Sequence, residues 1–404
     1  MEKREEKKAK KREKSVCYFG RYSKEVMRTK VFIAGLKKQG FSVIECTTKS
    51  SLLSWKPQST LGFYSYHLLS LFKDFYDYCL LIFQFMMGGR KADCVIVGYP
   101  WSGEGILSGI LCKIFKKKQY IDFFMSLEET LIEDRKLVPR KGLMAKKLRF
   151  IDKWAYQLSD VIITDTKEHS KYFREKFESK GTNKNRLKKH LICPVGTMDR
   201  STLLNGKKSI KVRGDKTFYT VFFYGTFIPL QGIGFILKAA KIIEKMHGNK
   251  KIKFVVVGDG QTKKEMVELA DELKLTNVQF LPFIPYTKLR MMIETADLCL
   301  GIFGETKKTQ KVIPNKAYDV IASGKPLLTG DTPAIQEYFK HRKNCYLCPV
   351  ANEEELAKAI LFLQKNPILS KRIAKAGYAL YEEHFNPGKV TNILVDSIKS
   401  EILK

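Results

Sequence analysis

Short, nearly continuous apolar runs alternate with helical patterns along the first half of the chain. SVCYFG (Ser15 to Gly20) is predicted as the first strand, and a helix is predicted from about Ser23 to Gly40. FSVIEC, CVIVGYP, YIDFF, VIIT and LICPV continue the strand series. Apolar strands separated by helices indicate a parallel sheet covered on both faces. Ligands of such sheets bind at the carboxyl ends of the strands.

The pattern restarts after a polar, glycine-containing segment. NGKKSIKVRGDK, residues 205–216, lacks an apolar period and is the best candidate for a linker. Beyond it TVFFYG, FVVVGDG, VQFLPF, LCLGIF and PLLTG form a second strand series. A last helix is predicted to begin at Asn386 and Pro387 and to bury Val390, Leu394, Ile398 and Ile402. The pattern predicts two similar α/β domains with a cleft between them.

The chain of 404 residues is long enough for two domains with separate cores. We predict a charged, disordered tail at residues 1–14, a first domain at 15–204, the linker, a second domain at 217–385 and a terminal helix at 386–404. The N-terminal tail has no apolar core of the kind found in secretory signals. The apolar region from Leu61 to Met87 is interrupted by charges and is predicted not to span a bilayer.

The net charge of +31 indicates an anionic partner, which is a nucleic acid, a membrane surface or a phosphorylated substrate. A generally lysine-rich composition without functional meaning is the alternative. Basic clusters at residues 116–118, 140–149 and 184–190 all lie in the first half. With the amphipathic run before Cys94, they suggest a domain that contacts anionic lipid. Solvated helix faces explain the same clusters equally simply.

Nine cysteines show no paired framework, and this usage fits a reducing compartment. The CxxC of Cys345 and Cys348 has no second ligand pair, so we interpret it as chance on a strand. The chain also lacks a GxGxxG dinucleotide motif and a GxxxxGK[ST] phosphate loop. These absences weigh against a dehydrogenase and an ATPase.

The segment VIPNKAYDVIASGKPLLTGD, residues 312–331, has the layout of a nucleotide-diphosphate pocket. Pro314 and Asn315 suit the start of a helix, where free N–H groups attract phosphate, and Lys316 adds a point charge. Asp319 follows one turn later, where a carboxylate can accept both hydroxyls of a ribose. An ordinary helix with exposed Lys and Asp is the alternative.

The residues around this segment resemble the retaining glycosyltransferases of the GT-B fold, family 4, and a branch with the signature FGxTxKxxxVIPNKxYE. The signature reads FGETKKTQKVIPNKAYD here, from Phe303 to Asp319. The resemblance extends through TGDTPAIQEYF, EELAKAILFL, YGTFIPLQGI and VVVGDG, and more loosely through YIDFFMSLEETLIEDR and SDVIITDTKEHSKYF. It implies a terminal helix that returns to pack on the first domain.

Two departures from the family pattern change the expected chemistry. The family's paired glutamates correspond to Lys311 and Asp319, so the first carboxylate is absent and the second is one methylene shorter. The Arg and Lys that many members carry for the diphosphate correspond to Thr226 and Gln231. We therefore expect Lys316, Lys311 and the helix N-terminus to supply that charge.

The resemblance implies a donor site in the second domain and an acceptor site in the first. The candidate donor-binding residues are Gly225, Thr226, Gly258, Phe283, Ile284, Lys311, Pro314, Asn315, Lys316 and Asp319. The candidate acceptor-side residues are Arg21, Tyr22, Asp122 and Glu129, and the candidate catalytic residues are Lys316, Asp319 and Asp122. The loop residues among them have turns and packing as alternative roles. We interpret Asp165 and His169, in TDTKEH, as part of a helix cap in which an Asp or a Thr precedes the helix and Glu168 follows, and His67 as a packed side chain.

The sequence thus predicts a cytoplasmic, retaining glycosyltransferase that transfers a sugar from a nucleoside-diphosphate sugar to a glycan or lipid-linked acceptor. We expect it to act in cell-surface polysaccharide or glycoconjugate synthesis, with peripheral contact to the inner face of the membrane. No cofactor and no divalent metal are expected. The alternatives are a nucleotide-sugar epimerase of the same fold, a basic nucleic-acid-binding protein and a partner subunit. Aromatic residues are not interleaved with the basic clusters, which weighs against nucleic acid.

Overall fold

Two six-stranded parallel sheets organise the part of the chain that the computed structural model describes. That part comprises residues 14–48, 71–99, 103–178, 187–199, 217–247 and 252–403. Residues 1–13 of the predicted tail, the linker at 205–216 and His67 lie outside it. The domain boundaries therefore stay predictions, whereas the two sheets confirm the predicted α/β architecture.

The first sheet has the strand order β2-β1-β3-β4-β5-β6. Its strands are β1 (Ser15–Gly20), β2 (Ser42–Thr47), β3 (Cys94–Val97), β4 (Lys118–Asp122), β5 (Val161–Thr164) and β6 (Lys189–Ile192). Its helices are α1 (Met27–Lys38), α2 (Leu71–Met87), α3 (Glu104–Ile114), α4 (Leu143–Leu158) and α5 (Lys167–Phe177), with a π-helical segment at Glu129–Asp134. The helix predicted from Ser23 begins four residues later, because a turn closed by the Val26 N–H and the Ser23 carbonyl precedes it.

The second sheet has the strand order β12-β11-β10-β7-β8-β9. Its strands are β7 (Tyr219–Tyr224), β8 (Ile252–Val257), β9 (Val278–Leu281), β10 (Leu298–Leu300), β11 (Leu327–Gly330) and β12 (Tyr346–Cys348). Its helices are α6 (Ile233–His247), α7 (Lys263–Glu272), α8 (Tyr286–Thr295), α9 (Asn315–Ala322), α10 (Pro333–Gln336), α11 (Glu353–Lys365) and α12 (Pro367–Leu380), followed by a π-helical segment at Tyr381–Phe385 and by α13 (Pro387–Ile402).

Alternate residues of a strand pack into hydrophobic cores on opposite faces of the sheet. In β1, Val16 and Tyr18 pack towards α1 and α13, whereas Cys17 and Phe19 pack towards α2 and α3. The latter core continues over β4 and β5 towards α4 and α5. Both faces of the sheet are thus buried, as the nearly continuous apolar strands predict.

Helix α13 packs on the first domain, as the resemblance implies. Asn386 caps its N-terminus by accepting from the Lys389 N–H, and Pro387 occupies its first position. Val390, Leu394 and Ile398 are buried against α1, but Ile402 is exposed because the contact ends one turn before the helix does. Helix α13, which follows the second domain in sequence, is therefore part of the first domain's core.

Candidate active site

Residues that follow strands of the first sheet contact the second domain: Thr166, after β5, donates to the Lys311 carbonyl, and Thr197, after β6, donates to Asp319. In the second sheet the strand order reverses between β7 and β10, which is where ligands of such sheets bind. Strand β7 ends at Tyr224 and is followed by Gly225 and Thr226. Gly258 follows β8 with a φ of +140°, and a Cβ there would overlap the Gly225 carbonyl. Glycine is therefore required where the two loops cross.

Lys316 lies at the start of α9 and points into this strand edge. Its amine donates to Gln231 Oε1 at 2.5 Å and to the Gly301 carbonyl at 3.3 Å, and it lies 3.6 Å from the centre of the Phe223 ring. The residue is 4% exposed, and burial lowers the pKa of the amine well below its usual value. Neutral groups alone surround this buried amine among its described contacts. An anion is the partner that would stabilise its charge.

The Lys316 amine is also close to the loop after β7. A Cβ at Gly225 would lie 3.1 Å from Nζ, so the missing side chain leaves the amine room beside the backbone. Pro314 is the N-cap of α9 and Asn315 its first residue, which brings the free N–H groups of the helix start to the same edge. Lys316, the Gly225 loop and the helix N-terminus thus lie together, and their predicted role in binding a diphosphate stays a prediction.

Asp319 lies one turn further along α9, and its carboxylate is enclosed by three hydroxyl groups. Its Oδ1 accepts from Thr197 and from Tyr286, each at 2.6 Å, and its Oδ2 accepts from Tyr224 at 2.5 Å. The residue is 4% exposed. Sequence reasoning missed these partners, although Tyr224 directly precedes the predicted Gly225 loop.

Lys311 does not join Lys316 but reaches across to the first domain. Its amine lies 2.5 Å from Glu129 Oε1 and 3.4 Å from the centre of the Tyr172 ring. Lys308 donates to Thr130 at 2.9 Å and lies 3.9 Å from Glu129 Oε2. The predicted contribution of Lys311 to the diphosphate site stays a prediction, while its observed partner is a carboxylate.

His169 completes this cluster of charges between the domains. Its Nε2 lies 3.0 Å from Glu129 Oε2 and its Nδ1 lies 2.7 Å from Asp165 Oδ1. Burial opposes a charged ring, but the two carboxylates raise the pKa of His169 to about 9. Burial likewise opposes a charged Glu129, yet His169, Lys308 and Lys311 hold its pKa below the usual range. The Thr166 side chain caps α5 by accepting from the His169 N–H, so the predicted cap is confirmed with Thr as its capping residue, whereas the Asp165 side chain bonds the His169 ring.

The acceptor-side candidates of the first domain are engaged with their neighbours. Arg21 is buried and pairs with Glu104 and Asp74. Tyr22 donates to Glu45 at 3.0 Å.

Asp122 is the candidate for orienting the acceptor hydroxyl, and it is completely buried. Both of its oxygens accept from Arg28, at 2.6 and 2.7 Å. Burial raises the pKa of Asp122 although Arg28 lowers it. The acceptor-side roles of Asp122, Arg21 and Tyr22 stay predictions.

The loop after β9 supplies an apolar edge near Asp319. Phe283 is 46% exposed, whereas Ile284 is partly buried against the same core as Tyr286 and Tyr224. Cys345 and Cys348 are buried free thiols, and no described cluster of three His, Cys, Asp or Glu residues could hold a metal ion. The expectation of metal-free chemistry stays a prediction.

Residues 206–380 match the family model described as glycosyl transferases group 1. Lys316, Asp319, Lys311 and the Gly225 and Gly258 loops all lie inside the matched residues. The acceptor-side candidates lie outside the matched residues.

Similar proteins of known sequence are named as glycosyltransferases or as a mannosyltransferase. An uncharacterized glycosyltransferase of Methanocaldococcus jannaschii is 27% identical over 194 residues, which are 47% of this chain and 45% of that protein. Chitobiosyldiphosphodolichol beta-mannosyltransferase of Candida albicans is 27% identical over 286 residues, which are 66% of this chain and 59% of that one. The alignments span about half the length of these relatives.

Solved structures show the same two-domain fold. HepE of Anabaena in complex with UDP superimposes with a TM-score of 0.65 at 13% identity, covering 96% of this chain and 100% of that one. Sucrose-phosphate synthase from Thermosynechococcus elongatus gives a TM-score of 0.65 at 14% identity, covering 96% and 99%. With the two parallel sheets, these likenesses confirm the predicted GT-B fold.

Proposed function

We propose that this chain is a retaining glycosyltransferase of the family 4 branch described above. It transfers a sugar from a nucleoside-diphosphate donor to a glycan or lipid-linked acceptor in cell-surface glycan synthesis. The observation that carries the proposal is the buried amine of Lys316, which lies within the matched residues, beside the Gly225 loop, without a described counter-ion. A diphosphate supplies the negative counter-charge that is missing around this amine.

The chemical step follows from the groups available at this edge. The bond between the sugar C1 and the diphosphate oxygen breaks, and a bond from C1 to the acceptor oxygen forms on the same face. The acceptor proton passes to the departing phosphate oxygen, so no protein base is required. Lys316 and the N-terminus of α9 stabilise the negative charge that develops on the diphosphate. Transfer to the acceptor rather than to water requires that the domains exclude water from the donor until the acceptor has bound.

Calorimetric titration with UDP, GDP, ADP and dTDP tests the donor site. We expect one diphosphate to bind, and Lys316→Ala to weaken it about 10- to 100-fold, because a charge-assisted hydrogen bond contributes about 1.5–3 kcal/mol. Lys365→Ala, at an exposed lysine of α11, is the control and should leave the affinity unchanged. Absence of binding by all four diphosphates, or equal affinity of the Lys316 variant, contradicts the proposal. Product analysis without acceptor separates transfer from epimerisation.

We also propose that the first domain contacts an anionic membrane through the outer surfaces of α2, α3 and α4. These helices cover one face of the first sheet. They expose a set of large apolar side chains, namely Phe75, Tyr76, Phe83, Met87, Ile110, Ile114, Leu143, Phe150 and Trp154. Such a set is unusual on a solvated surface and suits the boundary between lipid headgroups and acyl chains.

The charges of these three helices support the same partner. Lys113, Lys146, Lys147 and Lys153 are exposed. Asp77, Glu104 and Asp152 are buried, and Asp74 pairs with Arg21. The outward charge is thus basic, which attracts anionic lipid. Among the described residues, no helix has the length and apolar character needed to cross a bilayer.

Vesicle sedimentation tests this surface. We expect binding to vesicles of phosphatidylcholine mixed with phosphatidylglycerol at physiological salt, and little binding to phosphatidylcholine alone. Replacing Phe83 and Met87 by Ser should reduce binding several-fold, and so should Lys146→Ala with Lys147→Ala. Lys365→Ala is again the control. Equal sedimentation of all variants, or none with the wild type, contradicts the membrane proposal and leaves the donor site unaffected.

A further inference from the structure

Arg135 follows the π-helical segment of the first domain, and its backbone contacts the second domain. Its carbonyl accepts from the Gln261 side chain at 2.9 Å. Gln261 lies in the loop after β8, directly after Gly260, where a Cβ would come within 3.0 Å of the Thr226 methyl group. The loop after β8 therefore lies between Arg135 and Thr226, which follows β7 beside Gly225.

The guanidinium of Arg135 has a buried donor without an acceptor. Among the residues that the structure describes, none accepts a hydrogen bond from its Nε, and no carboxylate forms an ion pair with it. Burial raises the pKa of Tyr99 to about 12, and the positive charge of Arg135 opposes that shift. Tyr99 follows β3, so the guanidinium lies near the carboxyl end of a strand in the first sheet while its backbone contacts a loop of the second.

The carboxylate next to Arg135 in sequence interacts more strongly with another cation. Burial raises the pKa of Asp134, and Lys308 of the second domain lowers that pKa more than Arg135 does. The main cationic neighbour of Asp134 is therefore Lys308. The hydrogen-bond donors of Arg135 stay available for an acceptor from a ligand.

An arginine with a buried, unpaired Nε suits an anion that offers two oxygen atoms. Its Nε and a terminal amino group form a planar fork that pairs with a phosphate in two parallel hydrogen bonds. Thr226 and Gln231, which flank the Gly225 loop and the Lys316 amine, are uncharged. Lys316 contributes a single positive charge there, whereas a diphosphate carries more than one negative charge. A second cation would balance that charge.

We propose that Arg135 is a diphosphate-binding residue that reaches the donor from the first domain. Its guanidinium donates to phosphate oxygens, and Lys316 donates to the same diphosphate from the second domain. The inference rests on the proposed donor site and adds a second cation to it. Donor binding then depends on both domains, although the predicted donor-binding residues all lie in the second.

Calorimetric titration of Arg135→Gln tests this assignment. The probe is the diphosphate that the wild type binds most tightly among UDP, GDP, ADP and dTDP. Its affinity should fall about 10- to 100-fold, which is the effect of a charge-assisted hydrogen bond. Arg135→Lys keeps the charge but not the fork, so it should recover part of the loss. Both variants keep the carbonyl that binds Gln261, so the melting temperature of the ligand-free variants should stay close to that of the wild type.

Arg90→Gln is the matched control. It removes the same charge from the first domain at an exposed residue before β3, whereas Tyr99 follows that strand. Its affinity for the diphosphate should be unchanged. Equal affinity of Arg135→Gln and the wild type overturns the inference but not the proposed function, provided that Lys316→Ala still weakens binding.

Two further results would also overturn the inference. An equal loss of affinity in Arg90→Gln would mean that net charge, and not contact, is responsible. A clearly lower melting temperature of ligand-free Arg135→Gln would mean that the side chain has a structural role. If the wild type binds none of the four diphosphates, the proposed function itself fails, and the inference fails with it.

Discussion

At the scale of single residues, we expect the protonation of the Lys316 amine to depend on whether a diphosphate is bound. Its amine is buried among neutral partners, and burial lowers its pKa well below the usual value. A bound diphosphate stabilises the charged form and therefore raises that pKa. At a pH between the pKa of the Lys316 amine in the free protein and its pKa in the complex, the complex holds one more proton than the free protein. Binding should then take up as much as one proton in that pH range.

The proton uptake is measurable as a dependence of binding heat on the buffer. Calorimetric titrations in buffers with different ionisation enthalpies should give different heats for the wild type at neutral to alkaline pH. Lys316→Met keeps the apolar stem of the side chain but has no titratable group, so its binding heat should not depend on the buffer. Heats independent of the buffer in the wild type would mean that the amine is already charged in the free protein.

At the scale of elements, the short helix α9 holds both Lys316 and Asp319 of the candidate site. Seven of its eight residues are buried, so the helix is locked between the strands and α12. Lys316 and Asp319 lie one turn apart on it, as the spacing predicts. The sequence pattern thus predicted the positions of both residues on the helix. Their hydrogen-bond partners come from β7, from α8 and from the loop containing Gln231.

The contact between α1 and α13 is the second element-level feature, and it depends on close approach. A Cβ at Gly35 would overlap the Pro387 carbonyl and the Thr391 side chain. Gly35→Ala would gain about 1 kcal/mol of helix propensity. Overpacking lowers the free energy of unfolding by about 1–3 kcal/mol. Because the new Cβ would clash with backbone, we expect a loss at the upper end of this range. We expect a lower melting temperature.

Gly388→Ala is the matched control on α13 itself. Its Cβ would meet nothing closer than 3.6 Å, so the variant should melt at or slightly above the wild-type temperature. The two alanine variants then differ only in whether the glycine lies in the helix contact. Equal melting temperatures would show that α13 can shift without loss of stability.

At the scale of the whole molecule, the two domains are joined by charges that no local pattern reveals. Glu129 of the first domain meets Lys311 and Lys308 of the second, with His169 behind it. The Thr166 hydroxyl donates to the Lys311 carbonyl at 2.5 Å, and Glu337 accepts from the N–H groups of Lys167 and Glu168. These contacts connect the two domains.

Reversing one charge in this cluster should open the cleft. Glu129→Lys places a fourth cation among Lys308, Lys311 and His169, so we expect a larger radius of gyration by small-angle scattering and weaker diphosphate binding. Lys311→Glu in the same chain restores an ion pair and should recover part of both. An unchanged radius in the single variant, or no recovery in the double variant, would show that the cluster does not control closure.

The sequence by itself determined the elements of this protein and the order in which they occur. Apolar run lengths and helical spacing predicted the strand series, including β1 from Ser15 to Gly20 and α13 from Pro387. The motif around Lys316 and Asp319 indicated the second domain as the donor side. These features depend on neighbouring residues, so local propensity and hydrophobic periodicity are sufficient to predict them.

Only the tertiary structure decided which side chains meet. Asp319 and Thr197 are 122 residues apart, and Lys311 lies 145 residues from Thr166, whose hydroxyl binds its carbonyl. Such pairs depend on how two separately folded sheets approach each other. A single carboxylate or lysine carries no local signal of a distant partner. Folding surrounds Asp319 with three hydroxyl groups, because a buried carboxylate is stable only with hydrogen-bond partners, and the ribose contact that the resemblance implies for it stays a prediction.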